Sequence, residues 1–140
     1  MNDNHPYIKS YLDHVVENQG RFFERLQDMP ESIDSIDMIE AYMHSSTRAQ
    51  LDQGHAYYLT LDDEQLKRVF LEESGYRPKL GESLKGFMPN WIGRFYAYAQ
   101  WFSNLSSVQL INRFPIEDLK VVYPGAHDLD LSVAVEKLLS

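Results

Sequence analysis

Residues 125–131 read Gly-Ala-His-Asp-Leu-Asp-Leu, which sets a histidine and two aspartates within four positions. Imidazole and carboxylate groups hold metals and pass protons. His127 and Asp130 stand three apart, a spacing that puts both on one helical face. Two ligands are too few for a metal site, and no second cluster exists to complete one. His5, His14, His44 and His55 are scattered, with no HxxxH or HExxH spacing. The His-Asp doublet of phosphohydrolases needs a further aspartate downstream, and the ten residues after Asp130 contain neither Asp nor His. The simpler chemistry of the stretch is helix punctuation. Pro124 and Gly125 turn the chain, and Asp128 or Asp130 accepts from the free N–H groups of a last helix. Capping leaves His127 unexplained, so His127, Tyr98 and Asp130 form a candidate polar site. His127 is expected to bond a nearby backbone or tyrosine group.

Other catalytic sets are missing. The chain has no cysteine, no glycine-flanked serine elbow, and neither a GxxxxGK nor a GxGxxG loop. Asp62-Asp63 and Glu72-Glu73 are adjacent pairs whose types suit capping and solvation. No catalytic residue, metal ligand or cofactor is expected.

The elements that position these residues read as helical. At 140 residues, with 44% hydrophobic content, the chain suits a single domain, 1–140, with a core of its own. Ile8, Tyr11, Leu12, Val15, Val16, Phe22, Phe23 and Leu26 recur at helical spacing, with Pro6 in the first turn and Gly20 weakening the middle. Met29 and Pro30 end that helix. A second helix is expected from about Ser32, carrying Ile33, Ile36, Ile39 and Met43, with Ser45-Ser46-Thr47 as a break or recap before Gly54. Residues 56–60, "AYYLT", are aromatic enough for a strand but have no partner strand, so they read as an extended connector. Asp62 with Gln65 forms a capping box, Leu61 and Leu66 a staple, and Gly75 a C-terminal stop. Ser106 with Gln109 repeats the capping box, Phe114 and Pro115 separate two short helices, and a last helix runs from about Asp128 to Leu139.

Residues 91–102, "WIGRFYAYAQWF", carry six of the chain's eighteen aromatics and are apolar on nearly every side. Such a helix is buried in the middle of a fold. Gly93 and Ala97, four apart, leave a small strip where a neighbour can approach. The expected architecture is all-α: a compact bundle of six or seven helices around the 91–103 helix.

Charge is unevenly placed. Residues 28–73 hold eleven acids against Arg48, Lys67 and Arg68, so this segment carries the whole net charge of −8. An acidic belt attracts basic partners and repels phosphate backbones. Asp34, Asp37 and Glu40 are its candidate contacts. Residues 76–90, "YRPKLGESLKGFMPN", form a long internal loop with the chain's only local basic excess, and Arg77, Lys79 and Lys85 are candidate contacts there. The expected partner is a protein. A helix-turn-helix over residues 91–123 is the alternative, with Gln109, Asn112 and Arg113 as its possible base contacts. Glu117 and Asp118 would repel phosphate in that arrangement. An enzyme of unrecognised type is the third reading.

No apolar run approaches the roughly 20 residues that span a bilayer. The polar first residues lack a basic n-region, so no secretory leader and a cytoplasmic location are expected. Oligomeric state is not encoded in any of these features.

One further pattern runs through Trp91-x-Gly93, Tyr96-x-Tyr98, Ser106-Ser107, Pro115, Tyr123, His127-x-x-Asp130 and Ala134. It resembles a group of small, uncharacterised bacterial helical proteins that end in a similar Tyr…His-x-x-Asp…Ala run. Members of that group are often encoded beside toxin-like proteins, including ADP-ribosyltransferase-like ones. The resemblance covers residues 91–134. It implies an antitoxin-like or accessory role for a non-enzymatic protein-binding module, and brings no catalytic residues with it.

Overall fold

The computed structural model describes residues 4–140. Among them the chain forms nine α-helices and no strand, with one isolated antiparallel bridge between Ile33 and Leu80. The helices are α1 (Leu12–Arg25), α2 (Ser35–Met43), α3 (Ser46–Asp52), α4 (Ala56–Leu59), α5 (Asp63–Ser74), α6 (Met88–Ser103), α7 (Ser107–Arg113), α8 (Ile116–Ala126) and α9 (Leu131–Leu139). This is the all-α bundle that the hydrophobic spacing demands. No helix among the described residues is long and apolar enough to cross a membrane.

Several helix ends are written in the sequence. Asp62 accepts from the Gln65 N–H at 2.8 Å while Gln65 Oε1 accepts from the Asp62 N–H at 3.0 Å, and Gly75 closes α5 at φ +69°. Ser106 and Gln109 repeat the reciprocal cap on α7. Ser45 caps α3 by accepting from the Arg48 N–H, so the serine run does recap the chain.

The aromatic helix α6 is central, and its principal partner is α1. The two helices meet glycine to glycine. A Cβ on Gly93 would stand 2.6 Å from the Gln19 carbonyl and 2.9 Å from the Gly20 Cα. A Cβ on Gly20 would stand 2.7 Å from the Arg94 Cγ. Gly20 therefore does more than weaken its helix. The roughly 1 kcal/mol of lost propensity is exchanged for a close crossing that side chains would prevent. Gln19 seals the crossing by donating to the Gly93 carbonyl at 2.7 Å. Around it, Phe22, Phe23, Tyr42 and Phe70 meet edge to face, with centroids 4.9–5.9 Å apart for the pairs of Tyr42 with the three phenylalanines. Such pairs add roughly 0.5–1.5 kcal/mol each beyond area burial.

Local readings differ from the structure in several places. Pro6 is not in the first turn of a helix: a 3-10 turn, Lys9–Tyr11, precedes α1, which begins at Leu12. The last helix begins at Leu131 rather than about Asp128. Nine helices replace six or seven, because α3 and α4 are separate. Residues 56–60 are a helical turn, α4, since the segment folds back onto α3 rather than seeking a strand partner. Helix α2 begins at Ser35, because Asp34 supplies the cap and Ser32 and Ile33 bond the 76–90 loop instead. Helix α6 begins at Met88, because Pro89 in a first turn costs no hydrogen bond. Pro124 and Gly125 do not turn the chain. They lie inside α8, where the exposed proline forgoes only its own N–H bond and the helix continues to Ala126. His127 consequently caps the end of α8, and the Asp130 carboxylate makes no capping bond to α9.

Candidate binding surface

The long loop is held in place by the start of α2. The Asp34 N–H donates to the Lys79 carbonyl at 2.8 Å and the Ser35 N–H to the Glu82 carbonyl at 3.3 Å. These donors belong to a helix N-terminus, where no intrahelical acceptor exists, so the loop completes α2. The Gly81 N–H donates to Ser32 O, the Ser32 hydroxyl to Gly81 O, the Ser83 hydroxyl to Ile33 O and the Leu84 N–H to Ser35 Oγ. Gly81 is needed at this contact, since a Cβ there would meet the Asp34 Cβ at 2.8 Å. At the far end, the Gln27 amide bonds both the carbonyl (2.9 Å) and the N–H (3.0 Å) of Gly86.

Side chains add to this. Asp37 accepts from the Tyr76 hydroxyl at 2.6 Å and lies 3.4 Å from Lys79 Nζ. Desolvation, followed by that hydrogen bond, raises the Tyr76 pKa, so the phenol remains a donor at neutral pH. The acidic belt and the basic loop thus meet each other. Asp34 is occupied as the α2 cap. Asp52, Asp62, Asp63, Glu64, Glu72 and Glu73 also bond within the chain. Glu40, Arg77 and Lys85 are exposed, and their side chains make no hydrogen bond or ion pair among the described residues.

The pinned loop shows solvent two large apolar side chains, Leu80 at 73% exposed and Phe87 at 49%. Phe87 also lines a groove of about 470 Å³ between α1 and the start of α6, with Asp13, Glu17, Arg21, Asn90 and Arg94. Arg21 is paired with Glu17. The groove therefore offers an aromatic edge beside charges of both signs.

The other candidate residues occupy separate places. His127 Nδ1 lies 2.8 Å from the Tyr123 carbonyl, its ring stacks on Tyr123 at 4.5 Å, and Nε2 lies 3.3 Å from Asp128. Tyr98 stacks on Phe102, and burial raises its pKa. No hydrogen bond or ring contact joins Tyr98 or Asp130 to His127 among the described residues. No group of three or more His, Asp or Glu that could hold a metal occurs among them either. Gln109 is engaged in the α7 cap. Arg113 lies over the Phe114 ring and donates to the Leu139 carbonyl, and Asn112 is exposed.

Two sets of residues were not singled out in the sequence. Leu80 and Phe87 flank the two loop glycines, Gly81 and Gly86, on their outer sides, and an apolar residue there with no periodic partner is the signal for them. The second set surrounds Arg48, which is 0% exposed. Its trace in the sequence is the spacing Arg48-x-x-Leu51-Asp52, which sets a cation and an anion on the same helical face as a core leucine. Comparison of the chain with family models, with curated proteins and with solved structures finds no match.

Proposed function

We propose that the protein is a binding module that recognises another protein through the 76–90 loop and the adjoining groove. The single observation behind this reading is that the loop is ordered by the fold yet shows Leu80 and Phe87 to solvent. A contact surface ordered in advance loses less conformational entropy on binding. Exposed large apolar residues ringed by polar ones are the usual anchors of such surfaces. Arg77 and Lys85 supply the rim and favour an acidic patch on the partner. The resemblance of residues 91–134 to proteins encoded beside toxin-like genes makes an antitoxin-like or accessory role in a bacterial cytoplasm the biological form of this reading. It also makes the product of the adjacent gene the partner to try.

Co-expression of the two proteins followed by size-exclusion chromatography tests it. A stable complex is expected, and it is lost when Leu80 and Phe87 are both changed to serine. Loss on changing Leu129, an exposed apolar residue at the other end of the chain, with the double variant still bound, would contradict the assignment.

A further inference from the structure

Arg48 is the most unusual side chain in the molecule. It is fully buried, and Nε, Nη1 and Nη2 all lack a hydrogen-bond partner among the described residues. A guanidinium carries five N–H donors and does not deprotonate. Its one charged neighbour among the described residues is Asp52, 3.9 Å from Nε. That carboxylate is already taken at shorter range, by the Ser107 hydroxyl at 2.6 Å and the Ser107 N–H at 2.8 Å, at the first turn of α7. Asp52 thus serves α7 first and Arg48 second. A buried charge matched this poorly is costly unless something else answers it.

The groups around it are also donors. The hydroxyls of Tyr42 and Tyr7 are buried and unpartnered. Burial lifts the Tyr7 pKa to about 12 and raises that of Tyr42, while the Arg48 charge pulls both the other way. Both phenols therefore stay protonated at neutral pH, within the field of Arg48. Against these donors stand the Asp52 carboxylate, the phenol oxygens themselves and, next to Asp52, the unpartnered Oε1 of Gln100, whose amide donates to the Asp52 carbonyl at 3.3 Å.

Tyr7 is the part of this cluster that comes from outside the α-helices, and it is buried against them. It belongs to residues 5–8, which lie outside the α-helices and run as a strap over α6. Among the described residues the strap is held at Trp101: the Trp101 indole N–H donates to the Tyr7 carbonyl at 2.8 Å, and the His5 ring stacks on Trp101 at 3.6 Å with Nδ1 2.8 Å from the Trp101 carbonyl. On its other side it packs on Gly54, two residues beyond Asp52, where a Cβ would run into the Pro6 carbonyl and approach the Tyr7 Cβ. Lifting the strap removes one phenol from beside Arg48 and leaves space for a ligand of similar size.

We propose that Arg48 and Tyr42 form the floor of a pocket for a small oxyanion, a phosphate or carboxylate group, which the strap of residues 5–8 closes with Tyr7 as its plug. The planar guanidinium fork matches either oxyanion, and the Tyr42 hydroxyl supplies a further donor. In the closed chain the plug competes with the ligand, so the apparent affinity is reduced by the fraction of molecules that are open.

Titration with inorganic phosphate at constant ionic strength, followed by heteronuclear NMR, tests this. The Trp101 indole N–H reports the strap and the Arg48 Nε–H reports the site. Both are expected to shift saturably. Tyr7→Ala, which removes the plug, is expected to bind phosphate at least about tenfold more tightly. Tyr42→Phe, which removes one hydroxyl and keeps the shape, is expected to bind about tenfold more weakly. Arg48→Met in the Tyr7→Ala chain is expected to abolish the shifts, and if that chain fails to fold, Tyr42→Phe decides alone. Acetate in a parallel arm separates carboxylate from phosphate recognition. The proposal is overturned if Tyr7→Ala binds neither anion more tightly than the unaltered chain, if Tyr42→Phe leaves binding unchanged, or if chloride gives the same shifts.

Discussion

Glycine-to-alanine changes offer a controlled test of the packing, because the same methyl group meets three different surroundings. At Gly93 it would fall 2.6 Å from a backbone carbonyl and 2.9 Å from a backbone Cα, neither of which can swing aside. Helices α1 and α6 must then separate by several tenths of an ångström, and the Gln19 bond to the Gly93 carbonyl lengthens. Overpacking costs about 1–3 kcal/mol, and the weakened hydrogen bond costs up to about 1 kcal/mol more. Better helix propensity returns about 1 kcal/mol. The net expectation for Gly93→Ala is a loss of up to about 3 kcal/mol, or a Tm lower by up to about 10 °C for a chain of this size. At Gly20 the nearest atom is the Arg94 Cγ, on a flexible side chain, and the closest backbone atom is 3.1 Å away. Gly20→Ala is therefore expected to be close to neutral. At Gly125, within α8, nothing lies within 4 Å. Gly125→Ala is expected to stabilise by about 0.5–1 kcal/mol. Thermal and urea denaturation of the three variants supply the ranking. Stabilisation by Gly93→Ala comparable to that by Gly125→Ala would refute the glycine-to-glycine crossing.

Three further outcomes are expected. Asp52→Ala removes the carboxylate beside Arg48 and the acceptor of the two Ser107 bonds, and a loss of about 3–5 kcal/mol in urea unfolding is expected, as for other broken buried ion pairs. Tyr76→Phe removes the bond to Asp37 and should cost about 1 kcal/mol, with faster hydrogen exchange at the Gly81 and Leu84 amides than elsewhere in the chain. Stability should be insensitive to tyrosine ionisation below about pH 10. Above that the unfolded chain loses phenolic protons that Tyr7, held near pH 12 by burial, keeps. Unfolding is then favoured, by on the order of 2–3 kcal/mol for Tyr7 across that window. Denaturation midpoints measured alongside tyrosinate absorbance check the sign.

The fold was legible where side chains act locally. Capping boxes at Asp62 and Ser106, the left-handed Gly75 and the all-round apolar face of α6 each state their structure within a few residues. What was hidden depends on contacts between distant segments. Gly20 reads as a defect until Gly93 is seen against it. The 76–90 loop reads as a long loop with no stated anchor until Asp34 and Ser35 are found donating to its carbonyls. Pro124 reads as a stop because sequence rules take no account of how little one missing bond costs at an exposed helix end. Arg48 reads only as a charge set against the acids of residues 28–73, and its helical register with Leu51 is the one hint that it points inward. His127, the residue that capping could not explain, is held by the Tyr123 carbonyl and ring on its own helix.

The dissociation constant of the complex that the proposed function expects with the adjacent gene product, measured by calorimetry for the unaltered chain and for the Leu80→Ser, Phe87→Ser double variant, bears most directly on that proposal. Two apolar anchors at the centre of an interface are each worth about 1–2 kcal/mol or more. An increase of at least about thirtyfold in Kd is therefore expected, with the fold unchanged by circular dichroism. Equal constants for the two chains would contradict the loop as the recognition surface.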